Sequence, residues 1–337
     1  MQNVKTFVKT KTESGETKTE STETKTETKT ETKTKSTETN TNYFENLDDN
    51  LSEIVAEYFK AAEFHASRET SKKDLLHKSM PVHLKGDGKP LSREKKDFIK
   101  KFNRVSMLSI FNFKNVLIDA SYLDNLYRLR LLKLSRNQII DVTSLRTLTQ
   151  LVTLDLRWNR IVDMTPLATL VRLTGLALSY NRIVDVAPLA TLVNLTMLYL
   201  YRNQIVDVAP LTTLVNLTTL NLCKNYIVDV TPLTTLIRLT ELYLSYNQIV
   251  DVTPLTTLVR LTELYLSDNQ IVVVAPLTTL TQLTELYLNE NQIVDVAPLA
   301  TLTRLEELNL GQNRIVDVAP LRMLTQLTRS SQFQAPH

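Results

Sequence analysis

The sequence predicts an α/β solenoid: a concave parallel β-sheet of about ten short strands, convex 3₁₀-like turns, and a right-handed horseshoe or arc overall. Three observations predict it. Asparagines stand at 115, 137, 159, 181, 203, 225, 247, 269, 291 and 313, always 22 residues apart. Around them runs one template, L-x-x-L-x-L-x-x-N-x-I-x-D-V-x-P-L-x-x-L-x-x, in ten consecutive copies over 105–327. Within each copy leucines recur two apart, as in Leu154-Asp155-Leu156, which puts both on one face of a strand. A fixed period of this length marks a repeat fold, in which each coil buries its leucines only against its neighbours.

Each element follows from residue chemistry. After the strand the chain turns inward and leaves backbone groups without strand partners. A buried amide offers both donors and acceptors to them. Asn137, Asn159, Asn181, Asn203, Asn225, Asn247, Asn269, Asn291 and Asn313 are therefore expected to form a continuous ladder. In "VDVTPL" and "VDVAPL" the aspartate suits a bond to backbone amides one turn on, and proline suits the start of a helical turn. Twenty-two residues leave little room for a long helix on the convex side. The edges of the array are irregular: Asn112 replaces leucine and Tyr122 proline in the first copy, Ser144 replaces proline in the second, and Val273 replaces aspartate in the eighth. After Leu327 the pattern stops at "TRSSQFQAPH", a stretch too short for a further coil, where Phe333 is placed to cover the last layer.

Four segments precede, form or follow this array. Residues 1–42 are almost wholly Thr, Lys, Glu and Ser, with 8 basic and 7 acidic residues, and are expected to be a disordered tail. Residues 43–104 are expected to hold an amphipathic helix over 46–66, a linker over 67–90 and a short helix starting at Ser92. That helix shows Phe98, Ile99 and Phe102 to one side and caps the first coil. The repeat domain is assigned to 105–329 and a short tail to 330–337.

Composition narrows the function. The net charge of +3 is too small to argue for nucleic acid. The N-terminus lacks the apolar run of a secretory signal, and no stretch approaches a bilayer span, so a cytoplasmic chain without membrane contact is expected. The single cysteine, Cys223, excludes an intrachain disulfide and is expected to face solvent. All four histidines lie outside the repeats and the five glycines form no phosphate loop. No enzyme activity, metal or cofactor is expected.

The variable positions carry what function there is. The slot between the two strand leucines reads Phe111, Lys133, Asp155, Ala177, Tyr199, Asn221, Tyr243, Tyr265, Tyr287, Asn309. Two positions earlier stand Glu241, Glu263, Glu285 and Glu307 in consecutive coils, where like charges a strand apart await a basic partner. Past the strand, Arg136, Trp158, Tyr180, Arg202, Lys224, Tyr246, Asp268 and Glu290 share one slot. Residues 105–226 carry 12 basic and 7 acidic side chains, and 227–337 carry 6 and 11. The expected partner-binding set is Trp158, Tyr180, Tyr199, Tyr201, Arg202, Glu241, Tyr243, Glu263, Tyr265, Glu285, Tyr287 and Glu307, presented as exposed aromatic anchors and orienting charges. Recent duplication is the other explanation for the Tyr and Glu columns.

This template resembles the leucine-rich repeat. The phrase "NQIVDVTPLTTLVRLTEL" is similar to the repeats of bacterial internalins, which implies binding of host surface proteins on the concave face. The repeat length and the concave Glu–Tyr columns also resemble the leucine-rich-repeat regulatory subunit of protein phosphatase 1, which implies a phosphatase partner. The expected function is a non-catalytic protein-binding scaffold, a monomer whose protein partner presents a basic and apolar surface. The alternatives are a phosphatase regulatory subunit and a structural or surface repeat protein, including an internalin-like adhesion role.

Overall fold

The computed structural model describes residues 82–101, 105–114, 116–117 and 120–331, all within the compact unit Phe64–His337. The expected tail over 1–42 and helix over 46–66 lie outside the described residues, as do Phe102, Asn115 and Phe333.

Among the described residues twelve parallel strands form one sheet in sequence order. They are β1 (Val82–Lys85), β2 (Met107–Phe111), β3 (Leu131–Lys133), β4 (Thr153–Asp155), β5 (Gly175–Ala177) and β6 (Met197–Tyr199). The series continues with β7 (Thr219–Asn221), β8 (Glu241–Tyr243), β9 (Glu263–Tyr265), β10 (Glu285–Tyr287), β11 (Glu307–Asn309) and β12 (Arg329–Ser331). The sheet therefore gains one strand at each end over the ten expected. β1 comes from a stretch read as linker; Val82 and Leu84 pack on the core while His83 and Lys85 face out. β12 carries the pairing one strand past the end of the leucine pattern.

The first coil also corrects the 22-residue register. Ser109, not Phe111, pairs with Lys133, a separation of 24. The ladder position of that coil is consequently taken by Phe113, whose N–H donates to Asn137 Oδ1 at 2.8 Å. Asn112, which replaced an expected leucine, adopts φ +61° and donates from Nδ2 to the Gly86 carbonyl. Tyr122 is wholly buried and donates to the Val116 carbonyl. Between β1 and β2 lies α1 (Arg93–Lys100), capped by Ser92, whose Oγ accepts from the Lys95 N–H. Ile99 of α1 joins the same core as Leu108 and Ile110, but Phe98 points to solvent.

The repeat positions pack as the pattern requires. Leu154, Leu176, Leu198, Leu220, Leu242 and Leu264 are 0–1% exposed. Under them the asparagines bridge coils in one repeated geometry. Asn203 Oδ1 accepts from Ile183 N–H of the preceding coil at 3.0 Å, and its Nδ2 donates to Leu178 O and Leu200 O. Each ladder amide thus satisfies backbone groups that would otherwise be buried without partners. On the convex side, among the described residues, nine five-residue 3₁₀ helices, from Thr143–Thr147 to Ala319–Met323, follow the strands. The aspartate ahead of eight of them accepts the first helical N–H two residues on, as Asp163 Oδ1 does from Thr165 at 2.8 Å. This is an Asx turn rather than a bond one turn on. Hydrogen bonding to the threonine ahead holds Asp141, Asp163, Asp229 and Asp251 below the usual carboxylate range. Val273 occupies that position in one coil, exposed at 60%.

Candidate functional site

The parallel register lines the variable side chains up across the concave face. In its C-terminal half, Glu241, Glu263, Glu285 and Glu307 are mutual strand neighbours, and Tyr243, Tyr265 and Tyr287 run beside them. The tyrosine rings pack in series: Tyr243 and Tyr265 are tilted by 41° with centroids 4.8 Å apart, and Tyr265 and Tyr287 are stacked at 4.4 Å. Each hydroxyl donates to the glutamate of the next coil: Tyr243 to Glu263 at 2.6 Å, Tyr265 to Glu285 at 2.5 Å, and Tyr287 to Glu307 at 2.5 Å. Glu241 accepts from Thr219 Oγ1 at 3.2 Å.

These contacts correct the expectation of exposed anchors. Tyr243 and Tyr265 are 1% exposed, and Tyr199 and Tyr201 are also buried. The glutamates are half-buried and already hold hydroxyl donors, so the standing repulsion is offset within the chain. Burial pushes the Glu241 and Glu263 carboxyls above their ordinary range despite the hydrogen bonds that pull them down. Burial and the neighbouring carboxylates push the Tyr243 hydroxyl up strongly.

The N-terminal half is built differently. Trp158 stacks on Tyr180 with ring centroids 3.6 Å apart, and Tyr180 meets Tyr201 edge-on at 5.0 Å. The Arg136 guanidinium lies 4.7 Å from the Trp158 ring and that of Arg202 lies 5.4 Å from Tyr180. Trp158 is 38% exposed and Arg202 is exposed, while Tyr180 is buried beneath them. The backbone of this column does not differ between the halves: Arg136, Trp158, Tyr180, Arg202 and Lys224 have φ between 53° and 59°, and Tyr246, Asp268, Glu290 and Gln312 between 54° and 58°. Glycine or asparagine adopts that conformation at least cost.

Several features escaped the sequence. His83, on β1, continues the concave column through Ser109 to Lys133; burial and the Lys133 charge hold it below its ordinary value. Asp155 and Arg157 form a bidentate pair at 3.0 Å, buried at the sheet surface. Their spacing of two places both on one strand face, a signal that was available. Burial lowers the Lys133 ammonium next to them. Farther along, burial and the Glu290 carboxyl raise Asp268. Cys223 is buried rather than solvent-facing. Among the described residues no cluster of three His, Cys, Asp or Glu side chains is placed to hold a metal, and no helix is long and apolar enough to cross a membrane.

Coil geometry, ladder and sheet define a leucine-rich-repeat solenoid. The leucine-rich-repeat family models match residues 171–213, 215–271, 259–301 and 281–323. The chain is 33% identical to an internalin, InlF, of Listeria monocytogenes, covering 71% of this chain and 76% of that one with a TM-score of 0.62. It is 34% identical to internalin C2 of the same organism over 63% and 82%, with a TM-score of 0.47. The leucine-rich-repeat ectodomain of the Arabidopsis thaliana receptor kinase GASSHO1/SCHENGEN3 is 22% identical over 73% and 32%, with a TM-score of 0.61. No curated protein matches the chain. The chain belongs to the internalin-type leucine-rich-repeat proteins. Their solenoids are non-catalytic binding scaffolds. The same relationship overturns the expected cytoplasmic location: internalins are secreted or surface proteins.

Proposed function

We propose that the chain is a monomeric scaffold that binds a protein partner on its concave face, with Trp158 as the principal anchor. The observation that carries this reading is Trp158 itself. A bulky ring is kept half out of the protein at φ +58°, between the Arg136 guanidinium and the Tyr180 ring. The left-handed conformation is shared by this position from Asn112 to Gln312, so what sets Trp158 apart is its large ring left partly exposed. The partner places an apolar segment on Trp158, which is partly exposed above the buried Tyr180. The InlF relationship supports an internalin-like adhesion role over a phosphatase subunit, since none of the three relatives described is a phosphatase subunit.

Photo-crosslinking from position 158 tests the reading. A partner captured there should bind Trp158→Ala about 10-fold or more weakly, as truncated anchors do. Equal affinity for wild type and variant would remove Trp158 from the interface.

A further inference from the structure

A second surface lies on the flank where each convex turn returns to the sheet. A groove of about 510 Å³ runs there from Arg130 past Arg172 to Arg238, floored by threonine and asparagine side chains. We propose that it binds a linear acidic polysaccharide, with the three arginines taking its sulfate or carboxylate groups. The site is separate from the concave face and does not depend on the reading of Trp158.

Charge is the first argument. No carboxylate lines the groove, and among the described residues none of the three arginines has an ion-pair partner. Arg172 Nη1 donates to Gln150 Oε1 at 2.6 Å and Arg238 Nη1 to Asn216 Oδ1 at 2.9 Å. Neutral amides thus position these heads while leaving their charge uncompensated, and each guanidinium keeps further N–H donors for an anion.

The floor supplies the second argument. Thr174, Thr196 and Thr218 donate their hydroxyls to the carbonyls of Val152, Thr174 and Thr196. The Asn194 and Asn216 amide nitrogens likewise donate to Val171 O and Val193 O. The hydroxyl donors and one N–H of each amide are spent on the backbone, which leaves hydroxyl lone pairs and Asn194 Oδ1 as acceptors. Cations separated by acceptors suit a chain of anionic groups separated by hydroxyl donors. An acidic peptide would bring a row of backbone carbonyls, for which the floor keeps only the second N–H of Asn194 and of Asn216. Single-stranded nucleic acid would need an aromatic platform, and no aromatic residue lines the groove.

Spacing is the third. At about 4.8 Å per coil, Arg172 and Arg238, which share one slot, are about 14 Å apart, and Arg130, two residues along in its own coil, is offset from Arg172 by about 10 Å along the solenoid axis, so the ligand is extended.

The test uses the full chain on immobilised heparin, a sulfated polysaccharide, read by surface plasmon resonance. The triple variant Arg130→Gln, Arg172→Gln, Arg238→Gln should lose about 10-fold or more in affinity. Wild-type affinity should fall with salt at a logarithmic slope of about −2 to −3, as for three neutralised charges. A control triple, Arg160→Gln, Arg182→Gln, Arg314→Gln, removes the same charge from exposed positions outside the groove and should bind within about 2-fold of wild type. The proposal is overturned if wild type does not bind, if both triples lose affinity equally, or if polyglutamate of matched length competes as well as heparin.

Discussion

The two halves of the concave face carry the same backbone and spend their side chains differently. In the C-terminal half, the tyrosines stack on one another and donate to the glutamates of the next coil, so the strip turns its polar atoms on itself. In the N-terminal half, Trp158 and Arg202 lie over a buried Tyr180 and remain accessible. A column of aromatic and charged residues is therefore not in itself a binding surface. What decides is whether the adjacent coil supplies its partner. The Tyr–Glu strip works as mortar between coils, and the Trp158 shelf is what the protein holds out.

The largest effect should come from beneath both halves, where the ladder does not distinguish them. Asn181→Ala and Asn247→Ala each strand the same set of buried backbone groups. Each should cost about 3 kcal/mol in urea unfolding, with the two values alike to within about 0.5 kcal/mol. Gln204, the exposed neighbour of Asn203, should tolerate alanine at under about 0.5 kcal/mol. Unequal ladder costs would show that the halves differ in backbone as well as in side chains.

Acidity should separate the halves next. Glu241 and Glu263 have carboxyls raised in the folded chain, so the folded state binds more protons than the unfolded one above the ordinary carboxylate range. Stability should rise as pH falls from 7 toward that range, and Glu241→Gln with Glu263→Gln should flatten this rise. The convex aspartates have the opposite sign. Asp141, Asp163, Asp229 and Asp251 are depressed, so their contribution is present above their ordinary value of about 3.8 and is lost as pH falls below it. Unfolding followed from pH 7 to 3 should pass through a maximum between these windows. A monotonic profile would contradict the assignment.

The smallest effect concerns the one coil that lacks its Asx turn. Val273→Asp should restore an acceptor for the first N–H of the Ala275–Thr279 helix and stabilise by about 0.5 kcal/mol, read as a small rise in Tm. No gain would mean that the convex aspartates contribute little to any coil.

The leucine, asparagine and proline positions were legible because every coil repeats the same burial demands within its own 22 residues. The first coil was misread because Asn115 falls on the 22-residue beat, whereas Phe113 occupies the ladder position. β1 was missed because it pairs ahead of the period, where only the alternation in "VHLK" marks a strand. The candidate residues themselves could be placed on the concave face, but their exposure could not. Tyr243 is covered by side chains of neighbouring coils, a property of pairs 20 or more residues apart. The same holds for Cys223, whose slot gives no sign that Tyr201 of the preceding coil lies close by.

The division between mortar and shelf is tested most directly by equilibrium unfolding of two variants side by side. Tyr243→Phe, Tyr265→Phe and Tyr287→Phe together remove three hydroxyls that donate to carboxylates and leave the ring stacks intact. At about 1 kcal/mol each, this triple should cost about 3 kcal/mol. Trp158→Ala removes a larger group but only an edge of the packing, and should cost about 1 kcal/mol, the value of its stack on Tyr180. A triple variant as stable as wild type, or a Trp158→Ala that costs more than the triple, would contradict the account.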